Sequence, residues 1–241
     1  MTDVYIVQKL ENNKDIIVNV PGSKSITNRA LMLAALSDGE CNLDGVLFSD
    51  DSRAFLDCLE KLGFQLFIDE NEKRVKVVGT SGEIPNRKAT IDVRSAGTAA
   101  RFLTVMLAVT GGEYTLNSSE QMKKRPMGEI IDLIRSAGVK ISCLEEEGHF
   151  PFIISSNGLD KKEVSINTDT SSQYASALLM AAVMTGLKIK LTGKRVNGAY
   201  IKITLNMLKQ FGIKYVQAEE NKYNIEKQSF RLEKYQIEPD M

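Results

Sequence analysis

Leu56-Asp57-Cys58-Leu59-Glu60-Lys61-Leu62-Gly63 and Leu205-Asn206-Met207-Leu208-Lys209-Gln210-Phe211-Gly212 follow one pattern. Each sets apolar residues on one side of a 3.6-residue period and stops at a glycine. In the first, Phe55, Leu56, Leu59 and Leu62 form the stripe. Glycine just past the last turn is the left-handed helix cap. A third copy lies between them. Its stripe is Ile130, Ile131, Leu133, Ile134 and Ala137, its stop is Gly138, and Pro126 suits its first helical position. The three stops are 75 and 74 residues apart.

Upstream of each copy lies another helical segment, apolar throughout. These start after Ser25, Gly97 and Ser171 and are closed by Gly39, Gly112 and Gly186, spaced by 73 and 74. Short strand-like runs follow, among them Tyr114-Thr115-Leu116 and Ile189-Lys190-Leu191. Further β-type runs come after the second helices: Phe64 to Ile68, Val75 to Val78, Val139 to Cys143, Phe152 to Ser155, Ile213 to Val216 and Tyr223 to Ile225. The chain therefore reads as an α/β (α+β) protein of three β-α-β-α-β-β units of roughly 70–75 residues, near 18–90, 91–165 and 166–237. An ordinary α+β domain with coincidental spacing is the alternative. The joint recurrence of helix ends and glycines favours the repeat. Val4 to Gln8 reads as a strand ahead of the first unit, and residues 1–17 are expected to border a second lobe. Ile237 to Met241 ends without a closing helix, so residues 238–241 are expected to cross into that lobe, with a boundary near Pro239.

The 241 residues are 43% hydrophobic and 26% charged, which fits a soluble globular chain. Lys plus Arg and Asp plus Glu balance at 31 each, so any anion site must be local, and a general nucleic-acid binder is disfavoured. With no Trp, single-strand binding by base stacking loses support too. Cys41, Cys58 and Cys143 lack metal-type spacing and read as reduced core thiols of a cytoplasmic protein. His149, the one histidine, reads as a surface or strand-edge residue. The first residues are polar and show no signal-peptide pattern, and no apolar run approaches membrane-spanning length.

The chemistry is expected at the openings of the first helices. Pro21-Gly22-Ser23-Lys24-Ser25-Ile26-Thr27-Asn28-Arg29 packs a turn, hydroxyl donors and two cations ahead of an apolar helix. A helix opening offers unpaired N–H groups and the positive end of the macrodipole. Arg29 could grip a phosphate through paired N–H donors. Ser95-Ala96-Gly97-Thr98 with Arg101 opens the second unit, and Thr170-Ser171-Ser172-Gln173 the third. Each alone reads as ordinary capping. Together, with Lys24, Arg29 and Arg101, they read as one composite anion pocket. Lys123-Lys124-Arg125-Pro126 reads as opening a second helix, where cations oppose the dipole unless an anion is near. Asp50 and Asp51 read as caps without chemistry.

Four motifs in order, Pro-Gly-Ser-Lys-Ser with Arg29 at 21–36, Ala-Gly-Thr-Ala-x-Arg at 96–101, Lys-Arg-Pro-Met at 124–127 and Ser-Ser-Gln-Tyr at 171–174, resemble the 5-enolpyruvylshikimate-3-phosphate synthases. The resemblance covers the whole chain but only the N-terminal half of the family's length. It implies helices inside and sheets outside around a pseudo-three-fold axis. It implies joining of shikimate-3-phosphate and phosphoenolpyruvate with release of phosphate, in the shikimate pathway of aromatic amino acid biosynthesis, with no metal or organic cofactor and a monomeric chain. By the resemblance Lys24 contacts both substrates and moves or stabilises protons. Ser25, Arg29, Ser171, Ser172 and Tyr200 hold shikimate-3-phosphate, Gln173 lies between the substrates, and Gly97 and Arg125 contact phosphoenolpyruvate. Thr98 and Arg101 are further candidates, and Asp240 matches an acidic residue at the lobe crossover. Ser95 and Phe102 depart from the family pattern beside Gly97. Gly97 itself is kept, which implies sensitivity to glyphosate in the intact enzyme. The remaining carboxylates and cations of the family site lie in the second lobe, so this chain alone is expected to fold without turnover.

The sister transferase acting on UDP-N-acetylglucosamine is the nearest alternative, but its first motif has Lys-Asn where this chain has Lys24-Ser25. A half-length, non-catalytic anion-binding module is another. An RNA-end-processing enzyme on a related repeat would want a basic surface.

Overall fold

The computed structural model describes residues 18 and 20–239. In chain order the first unit holds α1 (Lys24–Leu36), β1 (Asp38–Asp44), α2 (Asp50–Lys61), β2 (Gln65–Asp69) and β3 (Arg74–Thr80). The second holds β4 (Lys88–Asp92), α3 (Gly97–Thr110), β5 (Gly112–Asn117), α4 (Glu120–Lys123), α5 (Gly128–Ser136), β6 (Lys140–Cys143) and β7 (Phe152–Ser156). The third holds β8 (Glu163–Asn167), α6 (Ser172–Ala181) with a 3-10 turn at Ala182–Met184, β9 (Leu187–Thr192), α7 (Ala199–Gln210), β10 (Val216–Glu219) and β11 (Lys222–Ile225). A last strand, β12 (Lys234–Gln236), follows.

Three four-stranded mixed sheets result, with orders β12-β1-β3-β2, β4-β5-β7-β6 and β8-β9-β11-β10. In the second and third sheets a parallel strand-helix-strand pair is extended by an antiparallel hairpin. The first sheet repeats this order with a difference of connectivity. The place that β4 and β8 fill is taken there by β12, parallel to β1, with Asn42 opposite Lys234. Ser23 N–H donates to Glu238 O at 2.8 Å, and Gly22 and Pro239 form an antiparallel bridge. The two segments therefore pass side by side just ahead of α1. A side chain at Gly22 would collide with the Gly45 carbonyl, so glycine is needed at this crossing. The strand expected at Val4 to Gln8 lies outside the described residues.

The helices divide into two kinds. α1 is buried from Ile26 to Leu36, α3 over all but Arg101 and Thr110, and α6 from Tyr174 to Ala181. A helix apolar all round belongs in an interior, and these three form the centre. α2, α5 and α7 bury one stripe each. Their closing glycines are left-handed: Gly63 at φ 87°, Gly138 at 97° and Gly212 at 77°. Among the described residues no helix is long and apolar enough to cross a membrane.

Three local readings are corrected. Pro126 does not open the second helix of its unit, because α5 starts at Gly128 with Met127 as its cap. Strand β10 begins at Val216 rather than Ile213. Cys143 is half-buried, with Arg135 Nη2 3.9 Å from its sulfur, whereas Cys41 and Cys58 are core residues. Burial pushes both core thiols up to about 12, away from reactive thiolate.

Candidate functional site

The interior helices run together, and cross-links show their N-terminal ends at one end of the molecule. Gln173 Nε2, in the first turn of α6, donates to Thr98 Oγ1 in the first turn of α3 at 3.0 Å. The Tyr174 hydroxyl donates to Pro126 O at 2.9 Å. Arg29 of α1 donates through Nη2 to Ser176 Oγ of α6 at 3.0 Å, and its Cζ lies 5.4 Å from the Phe102 ring centroid of α3. Arg29, Phe102 and Ser176 keep the 73- and 74-residue spacing of the repeat, and Arg29 meets both of the others. They mark the pseudo-three-fold axis. One helical turn nearer the openings, the same spacing gives Ser25, Thr98 and Ser172.

These openings are under-capped. α1 has Ser23 at its N-cap position but no side-chain bond there, and α3 has Ala96, which can make none. Ser171 caps α6, accepting from Gln173 N–H at 3.3 Å. None of the three carries an acidic residue in its first turn. The outer α2 has both a capping box from Ser49 and two acids, Asp50 and Asp51. Orphan N–H groups and uncompensated dipoles therefore remain at the α1 and α3 openings, as they do at that of the outer α7.

Cations surround them. Lys24 is the first residue of α1, half exposed, with its ammonium 3.7 Å from the Asp51 carboxylate. A methyl built on Gly97 would stand 2.8 Å from Nη1 of both Arg101 and Arg125, so these two guanidinium groups converge on the opening of α3. Arg101 donates to Gly97 O at 2.8 Å and its Cζ lies 5.5 Å from the Tyr174 ring centroid, while Arg125 is exposed. Ser171, Ser172 and Gln173 are half-buried. Tyr200, 52% exposed, has its ring 5.7 Å from Arg29 Cζ. Asp240 lies outside the described residues.

Arg29 differs most from the sequence reading. Its residue is 1% exposed, below the opening rather than in it. Nε donates to Thr204 Oγ1 at 2.8 Å and Nη1 to Ser25 O at 2.9 Å. As placed, it does not offer a phosphate the two-pronged grip that its position in the motif suggested. Burial lowers its pKa to about 10, so it stays charged at neutral pH.

The Lys123–Pro126 run also reads differently. Lys123 ends the short α4 and Lys124 is its C-cap, so these cations sit with the dipole rather than against it. Lys123 is engaged by Glu145 at 2.9 Å and Glu120 at 3.0 Å. Only Arg125 of this run reaches the α3 opening.

Sequence reasoning missed four participants. Asp51 was read as a cap, and Ser176 and Thr204 were not singled out. Asn28 is fully buried with neither amide atom hydrogen-bonded, a rarity among native side chains. The available signal was a third polar residue, between Thr27 and Arg29, one turn beyond Lys24.

The family model for EPSP synthase (3-phosphoshikimate 1-carboxyvinyltransferase) matches residues 9–241. A 3-phosphoshikimate 1-carboxyvinyltransferase of Trichormus variabilis is 36% identical over 241 residues, covering 99% of this chain and 57% of that protein. One of Neisseria meningitidis serogroup C is 43% identical over 205 residues, covering 83% and 47%. The structure of EPSP synthase from Acinetobacter baumannii superimposes with a TM-score of 0.77 at 22% identity, over 91% of this chain and 49% of that one, which speaks for the fold. The chain spans about half the length of the curated relatives it matches.

Proposed function

The chain belongs to the EPSP synthase family, and from that premise we propose that it forms one substrate-binding lobe of an enolpyruvyl transferase. Residues 18–237 are the lobe, 1–17 border a second lobe and 238–241 cross to it. The substrates are shikimate-3-phosphate and phosphoenolpyruvate. The 5-hydroxyl adds to the enol carbon while the methylene carbon gains a proton, giving a tetrahedral intermediate. Loss of that methyl proton and cleavage of the C–O bond to phosphate then give the enol ether and free phosphate.

The observation that carries this reading is a charge without a counterion. Arg29 is buried among neutral acceptors, beneath helix openings that carry no acid. A buried cation costs several kcal/mol unless paired, and a bound anion supplies the pairing. Ser171 and Ser172 take the phosphate of shikimate-3-phosphate, with Ser25 and Tyr200 on its ring and Arg29 below. Gly97, with Arg125 and Arg101, faces phosphoenolpyruvate. Thr98 orients Gln173 between the two, and Lys24 serves the proton transfers. Preorganised donors of this kind act through position and fixed charge.

The sister transferase acting on UDP-N-acetylglucosamine uses a reactive cysteine, and the raised Cys41 and Cys58 thiols speak against that reading. This chain alone has no turnover and binds shikimate-3-phosphate weakly, because the remaining acid and base groups belong to the second lobe. Calorimetric titration with shikimate-3-phosphate, beside a phosphate-release assay with both substrates, tests this. Absence of binding removes the substrate reading, and turnover by the chain alone removes the need for a partner lobe.

A further inference from the structure

We propose that Thr204, with Ser176, is a positioning residue for the anion site: their hydroxyls orient the Arg29 guanidinium beneath the helix openings without cancelling its charge. This rests on the reading of the openings as a phosphate-ester site.

Three elements meet at this point. Arg29 comes from α1, Ser176 from α6 and Thr204 from α7. Thr204 and Ser176 are both fully buried. Thr204 Oγ1 accepts from Arg29 Nε at 2.8 Å, and Ser176 Oγ accepts from Nη2 at 3.0 Å. The one proton of Thr204 Oγ1 goes to Ser176 Oγ at 2.9 Å or to Tyr200 O at 2.8 Å. Every partner of the guanidinium is therefore a neutral oxygen, and no carboxylate contributes to its electrostatics among the described residues.

Choice of residue matters here. A buried guanidinium needs acceptors, and carboxylates are the strong ones. A carboxylate at 176 or 204 would neutralise Arg29 and leave nothing for a ligand. Hydroxyls satisfy the N–H groups and fix the plane while the net charge persists. In a low-dielectric surround that charge acts over several ångströms on an anion above it. Thr204 also stands one turn beyond Tyr200, whose ring faces the same guanidinium, so α7 fixes both from one side.

The test uses this chain and the variants Thr204→Val, Thr204→Ser and Ser176→Ala. Two readouts are taken: the Arg29 Nε–H resonance in the anion-free chain, and calorimetric affinity for shikimate-3-phosphate with inorganic phosphate in parallel. Thr204→Val keeps the shape and removes the acceptor. It is expected to shift or broaden the resonance and to weaken shikimate-3-phosphate binding by about tenfold. Thr204→Ser is expected to restore both. Should Thr204→Val fail to fold, Ser176→Ala removes the Nη2 acceptor with a smaller change and is expected to weaken binding in the same direction. An Nε–H resonance unmoved by Thr204→Val, or equal affinity in wild type and every variant that folds, overturns the positioning role. No anion binding by wild type would instead sink the functional reading, and the resonance still decides whether Thr204 holds Arg29.

Discussion

Arg29 sits where a folding argument alone would place a leucine, 1% exposed and directly ahead of the apolar run Ala30 to Leu36. Arg29→Met should therefore leave the anion-free chain as stable as wild type or stabilise it by about 1–3 kcal/mol. The two hydroxyls beneath would turn to each other, as they already do at 2.9 Å. Thermal unfolding with and without phosphate checks this: wild type should gain melting temperature on adding phosphate, and the variant should not. A large loss of stability in anion-free Arg29→Met would contradict the account. Gly97→Ala makes a second test. Its methyl meets only the flexible ends of Arg101 and Arg125, at 2.8 Å. Stability should change by less than about 1 kcal/mol, while affinity for a small phosphorylated carboxylate falls, measurable by titration with phosphoenolpyruvate. The helix openings that carry Lys24, Gly97 and Gln173 were legible at this scale, because local spacing locates them. The depth of Arg29 was not, because it depends on α6 and α7 arriving from 147 and 175 residues away.

Helix ends were the most readable elements, for a reason confined to one residue. Gly63, Gly138 and Gly212 adopt positive φ, which side chains resist locally whatever the fold. The cost of replacing them should nevertheless differ. A Cβ at Gly212 meets nothing within 4 Å, whereas at Gly63 it meets Asn86 at 2.9 Å and Pro85 at 3.0 Å. Gly212→Ala should cost about 1 kcal/mol, the left-handed penalty alone, and Gly63→Ala clearly more, as urea unfolding of the pair would show. Equal costs would mean that the packing difference is unimportant. The short α4 escaped sequence reading because four residues carry no period, and with it the polarity of the Lys123–Arg125 run was inverted. The union of β1 and β12 offers a pH test. Arg74 first, and Lys234 second, hold the Asp44 carboxyl below the usual aspartate range. A depressed carboxyl adds stability above its unfolded value and loses it as pH falls through the folded one. Wild type should therefore lose melting temperature more steeply than Asp44→Asn below about pH 4, by an amount worth roughly 0.5–1 kcal/mol. Parallel curves for the two proteins would remove Asp44 from the joint.

At the scale of the molecule, the threefold repeat was visible in glycine spacing, while the way it closes was not. Nothing near Asp38–Asp44 announces that its parallel neighbour is Lys234–Gln236, since strand partners are chosen by tertiary contact rather than by local pattern. The repeat predicts a strand before α1, and the described residues supply one from the opposite direction of the chain. That arrangement has a kinetic consequence. Cys41 and Leu43 are fully buried in the finished sheet, yet the pairing that completes it joins Asn42 to Lys234 across nearly the whole polypeptide. Closing so large a loop is entropically slow, and such non-local pairs raise contact order and retard folding. On a translating ribosome the second and third sheets can be assembled from neighbouring segments as they emerge. The first-made of these three sheets must keep one margin unzipped until Lys234–Gln236 emerges, so of the three it is the last to be sealed.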